Sequence, residues 1–432
     1  MKTNIRILIS IITLITSILW IQSIPQLPQN SQAPLRLVSQ LIACLTVVYM
    51  ALSLIFSMRI ELLDKLLGGL PISYKIHAFI GSLAFIFMIA HPLLLVLHAL
   101  PDSSRAFGYV FPGGRLAANL GISAVYIAIF SFTFMTFLKI PYQHWLTTHR
   151  LLGISFLLGA IHAYLAPSNL FRCPFLSGWL AFWIILGLTG AIYSILLYRR
   201  FGSHYPYTIS SVETLGDILN ITLSPTKTPI EFTPGQFIYI RFNTAHLGSE
   251  LHPFSPSSTA LEPNIRLSIK KIGDFTQKLQ EHLKIGDPTQ IYGPFGSFGQ
   301  EYTTGKSDMI WVGGGIGITP FLSMLRFEYM APTNKKILLV YSLNKPEEAV
   351  FDKELTELNK KLPNLTYIKW IANESGFLTT DILLNKWKAL PSSPSPKIFL
   401  CGPPVMTQAL LKQAIALHLS PQDIIFEEFS FI

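Results

Sequence analysis

Six runs of about twenty apolar residues fill the first two hundred positions, roughly at 5–24, 35–57, 72–99, 116–138, 145–166 and 177–198. Each is close to the ~20 residues a helix needs to cross the hydrocarbon core of a bilayer. A composition that is 50% hydrophobic and only 13% charged is unusual for a soluble protein, so the expected first half is a six-helix transmembrane bundle. Lys2 and Arg6 precede the first run in the manner of a signal peptide, but no small-residue cleavage site follows before Pro25, and a retained helix is expected.

Charge divides the chain at the same place. Residues 1–200 carry 13 Lys/Arg against 3 Asp/Glu, whereas 201–432 carry 20 against 21. The excess positive charge sits at the ends of the apolar runs, which excludes a nucleic-acid-binding surface and points to a lipid bilayer as partner. With the N-terminus inside, the inner flanks hold Lys2, Arg6, Arg59, Lys65, Lys75, Lys139, Arg150, Arg199 and Arg200, and the outer side holds Arg36, Arg105, Arg115 and Arg172. That bias predicts a multi-pass protein of the cell membrane with both termini cytoplasmic. Cys44, Cys173 and Cys401 show no paired spacing, which argues against a disulfide framework or an iron–sulfur site.

Imidazole inside a membrane is rare, and His77, His91, His98, His144, His149 and His162 lie in or beside the third and fifth runs. His77 and His91 are 14 residues apart, about 21 Å along a helix and within about 40° of one face. His149 and His162 are 13 apart on a run of the same direction, so His77 can meet His149 and His91 can meet His162 at matched depths. Two bis-imidazole sites suit haem iron used for electron transfer. A spacing of 13 leaves about 140° of angular mismatch on an ideal helix, and Gly153 and Gly159 are expected to mark an irregularity that corrects it. His98 and His144 read as structural.

After Arg200 the pattern becomes short alternating strands with Gly/Pro/Asn turns, a small β-barrel to about residue 303, followed from Met309 by alternating strands and helices. The expected domains are 1–200, 201–303 and 304–432. His252-Pro253-Phe254-Ser255 is either an ordinary turn or part of a flavin site. Lys270, Gly273 and Thr276 offer a cation, a small residue and a hydroxyl at a strand-to-helix junction suited to a pyrophosphate. Trp311-Val-Gly-Gly-Gly-Ile-Gly-Ile-Thr-Pro-Phe321 contains Gly314, Gly315, Gly317, Thr319 and Pro320 between a strand and a helix, as a dinucleotide requires, although it is not a strict G-x-G-x-x-G and suits a generic nucleotide too. Cys401-Gly402-Pro403-Pro404 ends a later strand, and Cys401 is either structural or at the ligand. The apolar end Phe429-Ser-Phe-Ile432 either fills a core or covers a flavin ring.

Together these motifs, in this order, resemble the ferric reductase and NADPH oxidase superfamily over essentially the whole chain, and look closest to its compact bacterial NADPH oxidases. The resemblance implies a cytoplasmic ferredoxin-reductase-like module, an FAD-binding β-barrel plus an α/β nucleotide-binding domain, behind the bundle. It implies two b-type haems, held by His77 with His149 and His91 with His162. It further implies FAD on His252 through Ser255, Lys270, Gly273 and Thr276, with Phe429 on the isoalloxazine. The nicotinamide would lie on Gly314, Gly315, Gly317, Thr319, Pro320, Cys401, Gly402 and Pro403. Ser342 and Lys345 are offered to a 2′-phosphate, but the arginine of many NADPH-preferring relatives is missing, so NADPH is expected with NADH open. The implied acceptor is dioxygen, giving superoxide, or a ferric chelate. A membrane-anchored cytoplasmic flavin reductase with structural histidines is the reading without haem. The chain holds no EF-hand or long insertion, so no obligatory cytosolic activator is expected.

Overall fold

The computed structural model describes residues 3–24, 33–67, 69–138, 140–198, 202, 204–244, 246–248, 250–391 and 395–428. Lys2, Lys139, Arg199 and Arg200 of the orientation argument, the Pro25 segment and the Phe429–Ile432 end lie outside the described residues. The chain forms two compact units, Met1–Gly202 and Ser203–Ile432.

All six apolar runs are helical: α1 (Thr3–Gln22), α2 (Ala33–Phe56), α3 (Leu70–Ala99), α4 (Leu116–Phe137), α5 (Tyr142–Leu165) and α6 (Pro174–Ile192). Among the described residues five helices are long and apolar enough to cross a membrane, and α5 is not among them. Its 24 residues have the length, but Arg150 and three histidines lower its hydropathy. The six-span expectation therefore rests, for α5, on length alone.

The apolar side chains of α3 divide by face. Ile76, Ile80 and Ala84 are buried, while Phe79, Ile86, Leu93 and Leu97 stand exposed, as a helix facing lipid requires. α3 packs along α2, α5 packs along α4, and α6 closes on α2. The last contact is tight, since a Cβ on Gly187 would come within 2.8 Å of the Ala51 Cα. Small residues at such crossings let helix backbones approach where lipid gives no hydrophobic drive. α5 runs as an unbroken α-helix, so the irregularity expected at Gly153 and Gly159 does not occur.

The second unit begins with a six-stranded antiparallel sheet: β1 (His204–Leu215), β2 (Ile218–Pro225), β3 (Phe237–Phe242), β4 (His252–Phe254), β5 (Ile265–Lys270) and β6 (Pro288–Phe295). The strand order is β4-β3-β6-β1-β2-β5. In place of the continuous ladder of a closed barrel, the edge strands meet through an isolated bridge, Pro256 to Leu267, and a bond from the Ser257 amide to the Arg266 carbonyl at 2.7 Å. Ile238, Ile240 and Phe242 fill the interior with Ile221, Leu223 and Leu267, and Leu279 of helix α7 (Asp274–His282) caps it.

A parallel sheet follows, β7 (Met309–Gly314), β8 (Ile337–Leu343), β9 (Leu365–Ile371), β10 (Lys397–Gly402) and β11 (Ile424–Glu428), in the order β11-β10-β7-β8-β9. Its strands read as continuous apolar runs because both faces are covered. On β7, Met309 and Trp311 enter one core while Ile310 and Val312 enter the other. Each such side chain contributes roughly 1.5–3 kcal/mol on burial. The chain winds outward from β7 to β9 and then returns to place β10 on the other side of β7. The strand order therefore reverses between β7 and β10, and a crevice for a ligand opens at the carboxyl ends of those two strands.

Candidate functional site: histidine pairs and a dinucleotide crevice

In the first unit the imidazoles of α3 and α5 face each other. His77 and His149 have ring centres 5.7 Å apart, and His91 and His162 are 6.3 Å apart, inclined by 68° and 63°. Two imidazoles sharing one metal ion at about 2 Å per bond stand with ring centres roughly 6 Å apart. The donor chemistry also fits. His77 Nδ1 lies 2.7 Å from the Ser53 carbonyl, His91 Nδ1 3.0 Å from that of Ser39, and His162 Nδ1 2.6 Å from that of Ala117. A carbonyl only accepts, so Nδ1 carries the proton in all three and Nε2 is left with the lone pair a metal takes. His149 differs: its buried Nδ1 has no partner among the described residues, and its ring lies flat on Trp145, 5.1 Å between centres. Both α5 histidines meet their α3 partners although the helix between them is unbroken. A cavity of about 540 Å³ contains His91 and His162, with Arg36, Arg105 and Arg115 in an otherwise largely apolar lining. The residues present thus fit two bis-histidine haems.

In the antiparallel sheet, β4 sets His252, Pro253 and Phe254 beside Ile240, Tyr239 and Ile238 of β3. The His252 ring stacks on Phe275, 3.3 Å between centres, and burial pushes its pKa down to about 4, so it is neutral at pH 7. Ser255 is buried with its hydroxyl unpartnered. Arg241 Nε, Asn243 Oδ1, Thr244 Oγ1 and His252 Nε2 are likewise buried without hydrogen bonds. Such a cluster along two adjacent strands costs stability unless a ligand satisfies it. The sequence reading missed Arg241, Asn243 and Thr244, because only the folded sheet buries their polar atoms without partners. Lys270 ends β5 and pairs with Asp217 at 3.2 Å. The Thr276 hydroxyl accepts from the amides of Ile272 and Gly273, both at 3.1 Å, and so caps α7. Those amides are held by Thr276 itself, and it shapes this turn.

The crevice between β7 and β10 holds most of the remaining candidates. Gly315 has φ +54°, a left-handed conformation that favours glycine. A Cβ on Gly314 would come within 2.6 Å of the Met406 Cε, and one on Gly317 within 2.6 Å of the Cys401 carbonyl carbon. The glycine turn and the Cys401-Gly402-Pro403 turn therefore touch backbone to backbone. Thr319 and Pro320 begin helix α8 (Thr319–Met330), and the Thr319 hydroxyl donates to the Ile316 carbonyl at 3.1 Å. Cys401 is wholly buried, and burial raises its thiol pKa well above the usual value. Its register partner on β11 is Glu427, whose buried carboxyl is pushed up to about 8 by desolvation. Glu427 is therefore a neutral acid at pH 7, with Oε2 unpartnered, and the sequence reading passed over it as one of two adjacent glutamates. Ser342 is half-buried one residue before the end of β8, and Lys345 lies just beyond the strand, exposed. The Glu348 carboxylate accepts from the Asn344 amide beside them at 3.1 Å. Phe429 lies outside the described residues.

The chain matches three family models: the ferric reductase like transmembrane component over residues 42–160, an FAD-binding domain over 201–304 and the oxidoreductase NAD-binding domain over 311–412. It is similar to the reductase component of propane 2-monooxygenase from Rhodococcus jostii, 29% identical over 49% of this chain and 59% of that one. It is also similar to the ferredoxin–NAD(P)(+) reductase component of the naphthalene 1,2-dioxygenase system of Pseudomonas putida, 28% identical over 51% of this chain and 68% of that one. The chain thus spans about three-fifths of the length of the first of these relatives and two-thirds of the second. A flavohemoglobin from Malassezia yamatoensis resembles it in fold, with a TM-score of 0.51 at 17% identity over 92% of this chain and 97% of that one. A transmembrane ferric-reductase-like module joined to FAD- and NAD-binding domains defines a membrane oxidoreductase. The three matches, in this order, are the architecture of the ferric reductase and NADPH oxidase superfamily.

Proposed function

We propose that the protein moves electrons across a cell membrane, from NAD(P)H on the cytoplasmic side through FAD and two b-type haems to dioxygen, producing superoxide. The observation that carries this reading is the paired histidines of α3 and α5, with three of four Nδ1 protons fixed on backbone carbonyls and the Nε2 lone pairs left for iron. When bound, the flavin takes a hydride and releases single electrons, which haem iron carries one at a time.

The chain's own residues supply binding and orientation. The unpartnered polar atoms of Arg241, Asn243, Thr244 and Ser255 are offered to the flavin, as is His252 Nε2, which lies 3.4 Å from Glu250 Oε2. The glycines after β7 let a dinucleotide approach the backbone, and the α8 N-terminus favours its charge. Glu427 holds a proton beside Cys401 in the crevice. Ser342 and Lys345 stand at the carboxyl end of β8, where a 2′-phosphate would be received, and Glu348 beside them favours a free ribose hydroxyl. Around His91 and His162 the lining is largely apolar and its only charged side chains, among the described residues, are three arginines, which suits a small neutral acceptor that leaves as an anion. Positive-inside bias supports cytoplasmic termini, and the reading needs no cytosolic activator.

The test is a reduced-minus-oxidised spectrum of the detergent-purified protein, followed by NADH and NADPH consumption coupled to cytochrome c. Superoxide dismutase and a ferric chelate are each added and withheld. A b-type spectrum diminished in His91→Ala and His149→Ala, with dismutase-sensitive cytochrome c reduction, is expected. Haem with dismutase-insensitive flow accelerated by the chelate makes the protein a metalloreductase. A folded, active preparation without haem leaves the cytoplasmic flavin reductase.

A further inference from the structure

We infer that Ser39 and Ser53 on α2 are positioning residues, each clamping the tautomer and ring plane of one haem-ligand histidine on α3. The inference rests on the haem reading proposed above. Ser53 Oγ lies 2.9 Å from His77 Nδ1 and 3.2 Å from the His77 carbonyl, and Ser39 Oγ lies 2.8 Å from His91 Nδ1 and 2.9 Å from the His91 carbonyl. A hydroxyl has one proton, and a carbonyl cannot donate. The proton therefore goes to the histidine carbonyl, and the same oxygen must accept from Nδ1–H. Each Nδ1–H is then shared between the hydroxyl and the carbonyl of one serine, and the neutral Nδ1–H tautomer is the only one the clamp admits.

Two features separate these serines from ordinary hydroxyls in apolar helices. Thr13, Thr16, Ser17 and Thr46 return their protons to the carbonyl four residues back on their own helix, the usual local solution. Ser39 and Ser53, both buried, instead spend theirs on α3. The clamps also repeat: 14 residues separate the serines and 14 separate the histidines, on helices paired in opposite directions. Room is kept for one of them, since a Cβ on Gly81 would come 3.0 Å from Ser53 Oγ.

The two histidine pairs are not held equally. His91 is clamped by Ser39, and its partner His162 donates to Ala117. His77 is clamped by Ser53, but its partner His149 has no Nδ1 acceptor among the described residues. Hydrogen bonding at Nδ1 makes Nε2 a stronger ligand, so the His77–His149 pair depends more on its serine.

The experiment uses the full-length protein in detergent and measures haem per chain, haem retention against a competing apo-haemoprotein, and the low-spin EPR spectrum. It compares wild type with Ser39→Ala, Ser53→Ala, Ser39→Thr and Ser53→Thr. Ser53→Ala is expected to weaken retention of one haem by about 10-fold and to shift that haem's EPR signal alone. Ser39→Ala is expected to shift the other signal with a smaller loss, and threonine to restore both. An alanine variant too unstable to purify is replaced by cysteine, a weak acceptor of similar size, which must give the same site-selective shift. Wild type without haem overturns the haem reading and this inference together. Haem-loaded alanine variants with unchanged spectra, or with both signals disturbed alike, overturn the inference alone.

Discussion

A Cβ on Gly121 would lie 2.8 Å from His162 Nδ1 and 2.9 Å from its Cε1. Gly121→Ala therefore turns the imidazole off the Ala117 carbonyl, and under the haem reading proposed above the purified variant is expected to bind about half the haem of wild type. At Glu427, burial raises the carboxyl from 4.5 to about 8, so the native state keeps a proton that the unfolded chain gives up. The stability this contributes is complete below about pH 4.5 and is lost as pH rises through 8. Melting temperatures of wild type and Glu427→Gln are expected to agree at low pH and to separate in favour of glutamine as pH approaches 8. Glu348→Gln should raise kcat/KM for NADPH relative to NADH, because a carboxylate that accepts from a ribose hydroxyl repels a 2′-phosphate; equal ratios in the two proteins would contradict this. The histidines stood out in the sequence because imidazole is scarce in apolar helices. Ser39 and Ser53 touch two of them and did not stand out, since serine is common there and only the α2–α3 register gives it a task.

The helices of the bundle were legible because a run of twenty apolar residues has few alternatives to a membrane helix. α5 was read at the same length, yet its polar content is explained only by what its histidines face. The sheet of the flavin domain was read as a barrel from strand spacing. Its closure at Pro256–Leu267 depends on a contact between strands far apart in sequence, which periodicity does not encode. The turn after β7 was legible as a nucleotide loop, but its contact with the Cys401 turn was not. Gly317→Ala drives a methyl into the Cys401 carbonyl. Stopped-flow mixing with NADH or NADPH should then show flavin reduction slowed at least 10-fold, a barrier higher by about 1.4 kcal/mol or more, with bound FAD retained.

The two units differ in charge, in pattern and in what surrounds them. Residues 203–432 bring their own cores, with Trp311, Phe321 and Phe399 in one and Ile221, Ile238 and Leu267 in another. Expressed without the helices, this unit is expected to fold as a soluble flavoprotein that passes electrons from NAD(P)H to an artificial dye and carries no haem. A spectrum with a haem Soret band from that fragment would relocate the haem sites altogether. The break near residue 200 was visible as a change in charge balance and in periodicity.

The serine clamps also bear on how such a protein is made. An imidazole entering lipid alone would leave its polar atoms unsatisfied in hydrocarbon. Within the α2–α3 hairpin, the Nδ1 protons of His77 and His91 and the hydroxyls of Ser53 and Ser39 satisfy one another without any other part of the chain. The two helices can therefore enter lipid together with the Nδ1 side of both imidazoles already satisfied, and what α3 still presents to α5 is the pair of Nε2 edges.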